Sequence, residues 1–198
     1  MHAKNKLTIA VIVAIIGLTA AGATVYTLLS GDAQNASTAS TTKSGSTLNV
    51  DKSSDGIDWS ALPTTEVTLT NDTLDITKAG TYILTGDSTA SVHVNTDGNV
   101  RLVLNGVSIK STTGAAVYIE NAETTVVQLA DDSSNTLQDA STRSDESIDG
   151  AVYSYDDLVI NGNGLLTVTP TFADGIVAKD DLHIDRGTLS LTSLDDGT

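Results

Sequence analysis

Asp149-Gly-Ala-Val-Tyr-Ser-Tyr-Asp-Asp-Leu-Val-Ile160 is echoed downstream by Ala173-Asp-Gly-Ile-Val-Ala-Lys-Asp-Asp-Leu-His-Ile184, and Asp195-Asp-Gly197 opens a third copy. The recurring order is Asp-Gly, a short apolar run, Asp-Asp, then Leu-x-Ile. Asp149-Gly150 returns at Asp174-Gly175 and Asp196-Gly197, in steps of 25 and 22 residues. Asp157-Leu-Val-Ile160 returns 24 residues on as Asp181-Leu-His-Ile184, and Leu166-Thr-Val168 returns 23 residues on as Leu189-Ser-Leu191. Weaker copies stand upstream in Gly114-Ala-Ala-Val-Tyr-Ile119 and Leu102-Val-Leu-Asn-Gly106. Self-similarity at a fixed period marks a repeat architecture, in which each unit buries its apolar face against its neighbours.

Within the units, apolar residues alternate with polar ones. Val67 and Leu69, Leu74 and Ile76, Val100 to Leu104, Val117 and Ile119, Leu158 and Ile160, and Leu166 and Val168 all follow period two. Such alternation means half-buried strands, and the Asn-Gly, Asp-Gly and Arg-Gly dipeptides between them are turn signals. No helical period follows residue 30. The sequence therefore predicts an all-β chain. A unit of 22–25 residues holding three short strands fits one coil of a right-handed parallel β-helix, whose coils stack at strand spacing, about 4.8 Å. A β-sandwich also has many short strands, but gives no reason for motifs to recur in step. Residues 131–148 break the rhythm and are expected to form a loop thrown out from a coil corner, the kind of excursion that builds binding grooves.

Ahead of this region, Lys4 and Lys6 precede an uncharged run from Leu7 to Leu29. That run is long enough to cross a hydrocarbon core of about 30 Å. Residues 1–30 read as a signal peptide, with Ala21-Gly22-Ala23 as its cleavage site, or as an uncleaved signal anchor. Either places the remainder outside the cell, secreted or on its surface, with the membrane touched only through the N-terminal segment. Residues 31–61 are rich in Ser and Thr and read as a flexible linker; residues 62–198 form the predicted β-helix domain. Charge narrows the partners. Formal net charge is −15 and the pI about 4.2, which argues against nucleic acid, since phosphate binding needs basic patches. There is no cysteine, so disulfides, thiolate nucleophiles and Cys-ligated zinc are excluded.

In a stacked solenoid, equivalent positions lie above one another. Asp149, Asp174 and Asp196 are then expected to form one ladder, with Asp195 beside the last, and Asp156-Asp157 with Asp180-Asp181 a second. Carboxylates about 4.8 Å apart repel by roughly 1 kcal/mol in water and several times more near a protein surface. Residues 131–198 hold thirteen Asp and one Glu against Arg143, Lys179 and Arg186. A hard divalent cation offsets that repulsion, and calcium takes about 6–8 oxygens from carboxylates, carbonyls and water. These eight aspartates are the candidate Ca2+ ligands. The competing reading is that each Asp-Gly is only a turn. Zinc is disfavoured, with His2, His93 and His183 scattered along the chain.

The runs Asn99-Val-Arg-Leu-Val-Leu-Asn-Gly-Val-Ser-Ile109, Gly114 to Ile119, Ile160-Asn-Gly-Asn-Gly-Leu-Leu-Thr-Val168, Asp174 to Ile184 and Asp195-Asp-Gly197 resemble a bacterial family. It comprises secreted carbohydrate-binding β-helix proteins, first catalogued as a domain of unknown function. The likeness covers roughly residues 62–198. It implies a polysaccharide-lyase-like β-helix, bound calcium, and binding of cellulose-like and acidic plant polysaccharides without established catalysis. It also implies further coils beyond Thr198, so the sequence reads as C-terminally truncated.

Three functions remain in play at this level. The first is a non-catalytic, calcium-dependent polysaccharide-binding module at the cell surface. Calcium would bridge protein and uronate carboxylates, while neutral glucans would need aromatic platforms from Trp59, Tyr118, Tyr153, Tyr155 or Phe172; the alternative for Tyr118 and Tyr153 is that they fill strand faces. The second is a pectate-lyase-type enzyme, with Lys179 or Arg186 as base and a cation on the substrate carboxylate; the alternative is that each only offsets neighbouring Asp charge. The third is a passive β-solenoid stalk or adhesin. Tyr153, Tyr155, Lys179 and Arg186 are the candidate substrate-binding residues, and no catalytic residue is assigned.

Overall fold

The computed structural model describes residues 56–192. The expected leader helix and the candidate ligands Asp195 and Asp196 lie outside them. Among the described residues, no helix is long and apolar enough to cross a membrane.

A 3-10 turn at Trp59–Ala61 precedes fourteen strands. In chain order they are β1 (Thr64–Thr68), β2 (Leu74–Ile76), β3 (Gly80–Ser88), β4 (Val92–Asn95), β5 (Val100–Lys110), β6 (Val117–Asn121) and β7 (Thr124–Leu129). There follow β8 (Ser134–Gln138), β9 (Gly150–Ser154), β10 (Asp157–Gly162), β11 (Leu165–Thr169), β12 (Asp174–Ala178), β13 (Leu182–Ile184) and β14 (Thr188–Leu191). The all-β expectation holds, and the pairings among the described residues are parallel.

The strands form two sheets. The smaller has the order β12-β9-β6-β4-β2. The larger runs β13-β10-β7-β5-β8-β11-β14, with β3 also on β5 and β1 on β3. β5 is the junction: Val100 to Leu104 pair with β7, and Ser108 to Lys110 pair with β8.

Parallel sheets need apolar cover, and here each supplies it to the other. Val92, Val117 and Val152 occupy matched positions across β4, β6 and β9. Leu102, Val127 and Ile160 do so across β5, β7 and β10, and Ile109, Leu137 and Val168 across β5, β8 and β11. All nine belong to one buried core cluster. Each such side chain contributes on the order of 1.5–3 kcal/mol on burial. The intervening residues point the other way, so in β4 Val92 and Val94 are buried while His93 between them is not. The rows continue into the last strands, where Leu182, Ile184 and Leu191 are exposed.

One boundary differs from expectation. Residues 131–148 are not a single loop, because Ser134–Gln138 form β8 between β5 and β11. The cause is Asn135, a polar residue at a core position. Its carboxamide oxygen accepts from the backbone N–H groups of Gly106 and Val107, both at 3.0 Å, and its amide donates to Ser133 Oγ and the Leu165 carbonyl. A buried side chain satisfied on all sides replaces an apolar one without an unpaired group. The excursion shortens to the segment between β8 and β9.

Candidate functional site

The outer face of the small sheet carries a row set by strand register: Asp75 on β2, His93 on β4, Tyr118 on β6, Tyr153 on β9 and Val177 on β12. Two residues further along, on the same face, come Asn95, Glu120, Tyr155 and Lys179. His93 is held from both sides: Nδ1 lies 3.0 Å from Asp75 Oδ1 and Nε2 lies 2.9 Å from Glu120 Oε2, which also accepts from Asn95 at 2.8 Å. Its ring stacks on Tyr118, centroids 5.2 Å apart and planes 9° from parallel. Tyr153 and Tyr155 meet Tyr118 at tilted and edge angles, and Tyr155 stands edge-on to Tyr153. Tyr153 is buried, Tyr118 half-buried and Tyr155 exposed.

The segment between β8 and β9 folds against this face. Asp139 and Arg143 form an ion pair with both side chains almost fully buried. Asp139 also accepts from the backbone N–H of Thr171 at 2.5 Å and from its hydroxyl at 2.9 Å. Arg143 donates to the carbonyls of Ile148 and Gly150, and its guanidinium lies 4.2 Å from the centre of the Phe172 ring. Between segment and sheet lies a cavity of about 320 Å³ lined by Thr73, Ser91, His93, Tyr118, Ser144, Asp145 and Ile148, among others. That is the size range of ligand pockets, at its small end.

Burial holds the Tyr118 phenol above its ordinary range, with the carboxylate of Glu120 adding to the effect, then Tyr155 and Asp145. Hydrogen bonds from the hydroxyl and then the backbone N–H of Ser147 hold the Asp145 carboxyl low. The Tyr153 phenol is pushed up to about 12, chiefly by burial, then by Tyr155. With an ordinary value of 10.0 in the unfolded chain, its stabilising contribution is complete below that pH and is lost as pH rises through the folded value. Alkaline unfolding followed by tyrosinate absorbance is expected to set in later for Tyr153→Phe than for the parent; coincident curves would show that the phenol is not protected.

The sequence candidates fall in separate places. Tyr153, Tyr155 and Lys179 share the outer face; Lys179 Nζ lies 5.3 Å from the Tyr153 ring centre and 3.9 Å from Asp149 Oδ1. Arg186 lies between β13 and β14 of the other sheet. Trp59 is buried under Arg101. The first aspartate ladder is out of step: Asp174 stands opposite Gly150, and its N–H donates to the Asp149 carbonyl at 2.8 Å. Val152 and Ile176 both face the core, and strand parity then shifts the Asp-Gly pairs by one residue. The second set is in step: Leu158 faces Leu182, and Asp181 N–H donates to Asp157 Oδ1 at 3.3 Å. Asp157 and Asp181 line a basin of about 460 Å³ with Thr124 and His183. Asp156 accepts from the Ala122 N–H, and Asp180 is exposed. Among the described residues, no three or more His, Asp or Glu side chains converge as a metal-binding group. His93, Glu120 and the Arg143 clamp escaped sequence reading, because each looked like an isolated polar residue.

The described residues thus form an all-β domain of parallel sheets around one core, with a lined cleft on an outer face. The chain belongs to the carbohydrate-binding domain-containing protein family, whose profile matches residues 70–198. A carbohydrate-binding domain-containing protein of Acetivibrio thermocellus is 37% identical over 124 residues, 59% of this chain and 43% of that protein. A solved structure, of the polysaccharide lyase-like protein from C. thermocellum as a gadolinium derivative, matches with a TM-score of 0.61 at 32% identity, over 64% of this chain and 60% of that one. The chain thus spans less than two thirds of the length of either relative.

Proposed function

We propose that this chain is a calcium-dependent, non-catalytic polysaccharide-binding module displayed outside the cell, folded as a right-handed parallel β-helix. The observation that carries the binding reading is the cleft between the 139–149 segment and the outer face of the small sheet. Its Ser and Thr hydroxyls, His93 and the edge of Tyr118 suit a sugar ring, with Ala115 and Ile148 as apolar contacts. Tyr118 offers its edge and hydroxyl, because its ring face is taken by His93. The parallel register, with Leu158 opposite Leu182 in the 24-residue step that joins Asp157 to Asp181, supports the solenoid. Surface display rests on the basic, then apolar, leader sequence.

For calcium, the best-fitting residues are Asp157 and Asp181, two carboxylates on adjacent turns with the Thr124 hydroxyl beside them. They supply part of an oxygen shell, which waters or a uronate carboxylate would complete. Asp149 fits less well, since Lys179 already faces its carboxylate. The gadolinium derivative of the structural relative is consonant with this: a lanthanide is a hard cation that favours oxygen ligands, as calcium does.

The reading predicts retention of the protein on cellulose or polygalacturonate with calcium, loss of uronate binding in EDTA, and loss of cellulose binding in Tyr118→Ala. At a calcium concentration 100 times Kd, stability should rise by about 2.7 kcal/mol, roughly 5–10 °C in Tm for a domain of this size. A Tm unmoved by either EDTA or calcium would remove the cation from the account. The lyase alternative draws on the relative's description. Against it, Lys179 and Arg186 are on different sheets, and the Arg143 guanidinium is turned away to Asp139. Ultraviolet-absorbing unsaturated product from polygalacturonate and calcium would overturn the non-catalytic reading.

A further inference from the structure

His93 stands on the cleft wall with a carboxylate on either side. Its Nδ1 lies 3.0 Å from Asp75 Oδ1 on β2, and its Nε2 lies 2.9 Å from Glu120 Oε2 on β6. An ionised carboxylate only accepts hydrogen bonds, whereas a neutral imidazole carries one N–H and one bare nitrogen. With the ring neutral, one of these two contacts would set a lone pair against a lone pair at hydrogen-bond distance. The doubly protonated ring fills both, as two charge-assisted hydrogen bonds. The ring that these bonds pin lies on Tyr118, 9° from parallel with centroids 5.2 Å apart, and both residues line the cleft. A cation on a phenol face is attracted to it, so the charge that fills the two hydrogen bonds also strengthens the stack.

The remaining groups around the ring do not compete for it. Asn95, on the same strand, donates to Glu120 Oε2 at 2.8 Å and keeps that carboxylate in place. From the segment above, Asp145 and Arg143 also line the cleft. Asp145 Oδ1 takes the N–H and the hydroxyl of Ser147, and Arg143, only 2% exposed, is bonded to Asp139 and to the carbonyls of Ile148 and Gly150. Neither is hydrogen-bonded to His93. The Tyr118 phenol, held above its ordinary value chiefly by burial, keeps its proton through neutral pH. We propose that His93, as the imidazolium, is the positioning residue of the cleft: it locks Tyr118 in the edge-on pose that a sugar meets, so saccharide binding weakens when the ring loses its proton. This rests on the cleft being a saccharide site.

The test is calorimetric titration of the full chain with a cello-oligomer from about pH 5.5 to about 8.5, the span in which imidazole changes charge. It is paired with nitrogen NMR of the His93 ring, assigned by loss of its signals in His93→Gln. Affinity is expected to fall by about 5-fold across that span, the scale of one partly exposed charge pair, as the ring passes from two protons to one. His93→Gln should bind weakly and without pH dependence. His93→Arg should bind as the parent does at the acidic end and hold that affinity throughout, because a guanidinium keeps its charge, lies flat on a phenol ring and has donors for both carboxylates. A merely structural role would give neither that profile nor that rescue. A flat parental profile with binding intact overturns the proposal and leaves the saccharide site standing. So does a decline that persists in His93→Gln, since another group would then be titrating, and so does a singly protonated ring where binding is tightest. If the cello-oligomer binds at no pH, the saccharide reading of the cleft falls and takes the positioning role with it, whatever the ring spectra show.

Discussion

Arg143→Ala is expected to cost about 3–5 kcal/mol, the usual result of stripping one partner from a buried ion pair. That is a large fraction of a domain's marginal stability, about 5–15 kcal/mol. The loss has three parts. Asp139, with a fully buried side chain, would be left facing Thr171 alone. The carbonyls of Ile148 and Gly150 would lose a charged donor, and Phe172 the guanidinium over its ring. The 139–149 segment can relieve part of the penalty by lifting off and letting water reach Asp139. Two readouts are therefore needed. Urea unfolding should shift, and backbone amides from 140 to 149 should lose exchange protection at lower urea than the strands do. Saccharide binding should fall with that protection. Arg143→Lys should rescue poorly, since one ammonium cannot serve the carboxylate, two carbonyls and a ring together. Arg143→Met with Asp139→Asn should recover much of the loss, because no unpaired charge remains. An Arg143→Ala protein with parental urea midpoint and protected amides would mean that the clamp does not hold the segment.

That clamp shows where sequence reading ends. In the sequence, Arg143 is one basic residue amid Asp139, Asp145, Glu146 and Asp149, which looks like a solvated acidic loop with a stray cation. Its ring partner is Phe172, which lies beyond three intervening strands, and no local pattern encodes that distance. The strands themselves were legible, because alternation at Leu158-Val-Ile160 and Leu182-His-Ile184 fixes both the face and the 24-residue step. The Asp-Gly echo misled by one residue, since turn chemistry tolerates a slip that the apolar positions Val152 and Ile176 do not. β8 was hidden for a related reason. Asn135 breaks the apolar rhythm at the point where the core needs a hydrogen-bonding side chain for the backbone of Gly106 and Val107. The sequence offered the aromatic residues only as separate candidates; register sets Tyr118 beside Tyr153, and which ring stays accessible depends on stacking. His93 covers Tyr118 and burial removes Tyr153, so Tyr155 alone of the three is exposed.

Gly162→Ala is expected to be the most damaging glycine-to-alanine change among the described residues, at about 4 kcal/mol or more, a size that singles out a specific mechanism rather than ordinary perturbation. Asn105-Gly106 and Asn161-Gly162 look interchangeable as turn signals. Both glycines have positive φ, 76° and 100°, so both carry the strain that an L side chain suffers there, about 1–2 kcal/mol near the left-handed helical region. Their surroundings differ. A Cβ at Gly106 meets nothing within 4 Å, whereas one at Gly162 falls on the Leu129 carbonyl oxygen and within 2.6 Å of the Leu129 nitrogen. Leu129 stands directly opposite Gly162, is itself buried, and has its carbonyl engaged by the Asn163 N–H at 3.2 Å. It is backbone and cannot rotate aside, so β7 and β10 would have to separate at this end of their pairing. With a urea m-value of about 2 kcal/mol/M, the midpoint should drop by roughly 2 M for Gly162→Ala and by less than half of that for Gly106→Ala. Equal shifts would mean that backbone strain alone governs both corners and that the close approach of Leu129 to Gly162 does not exist in solution.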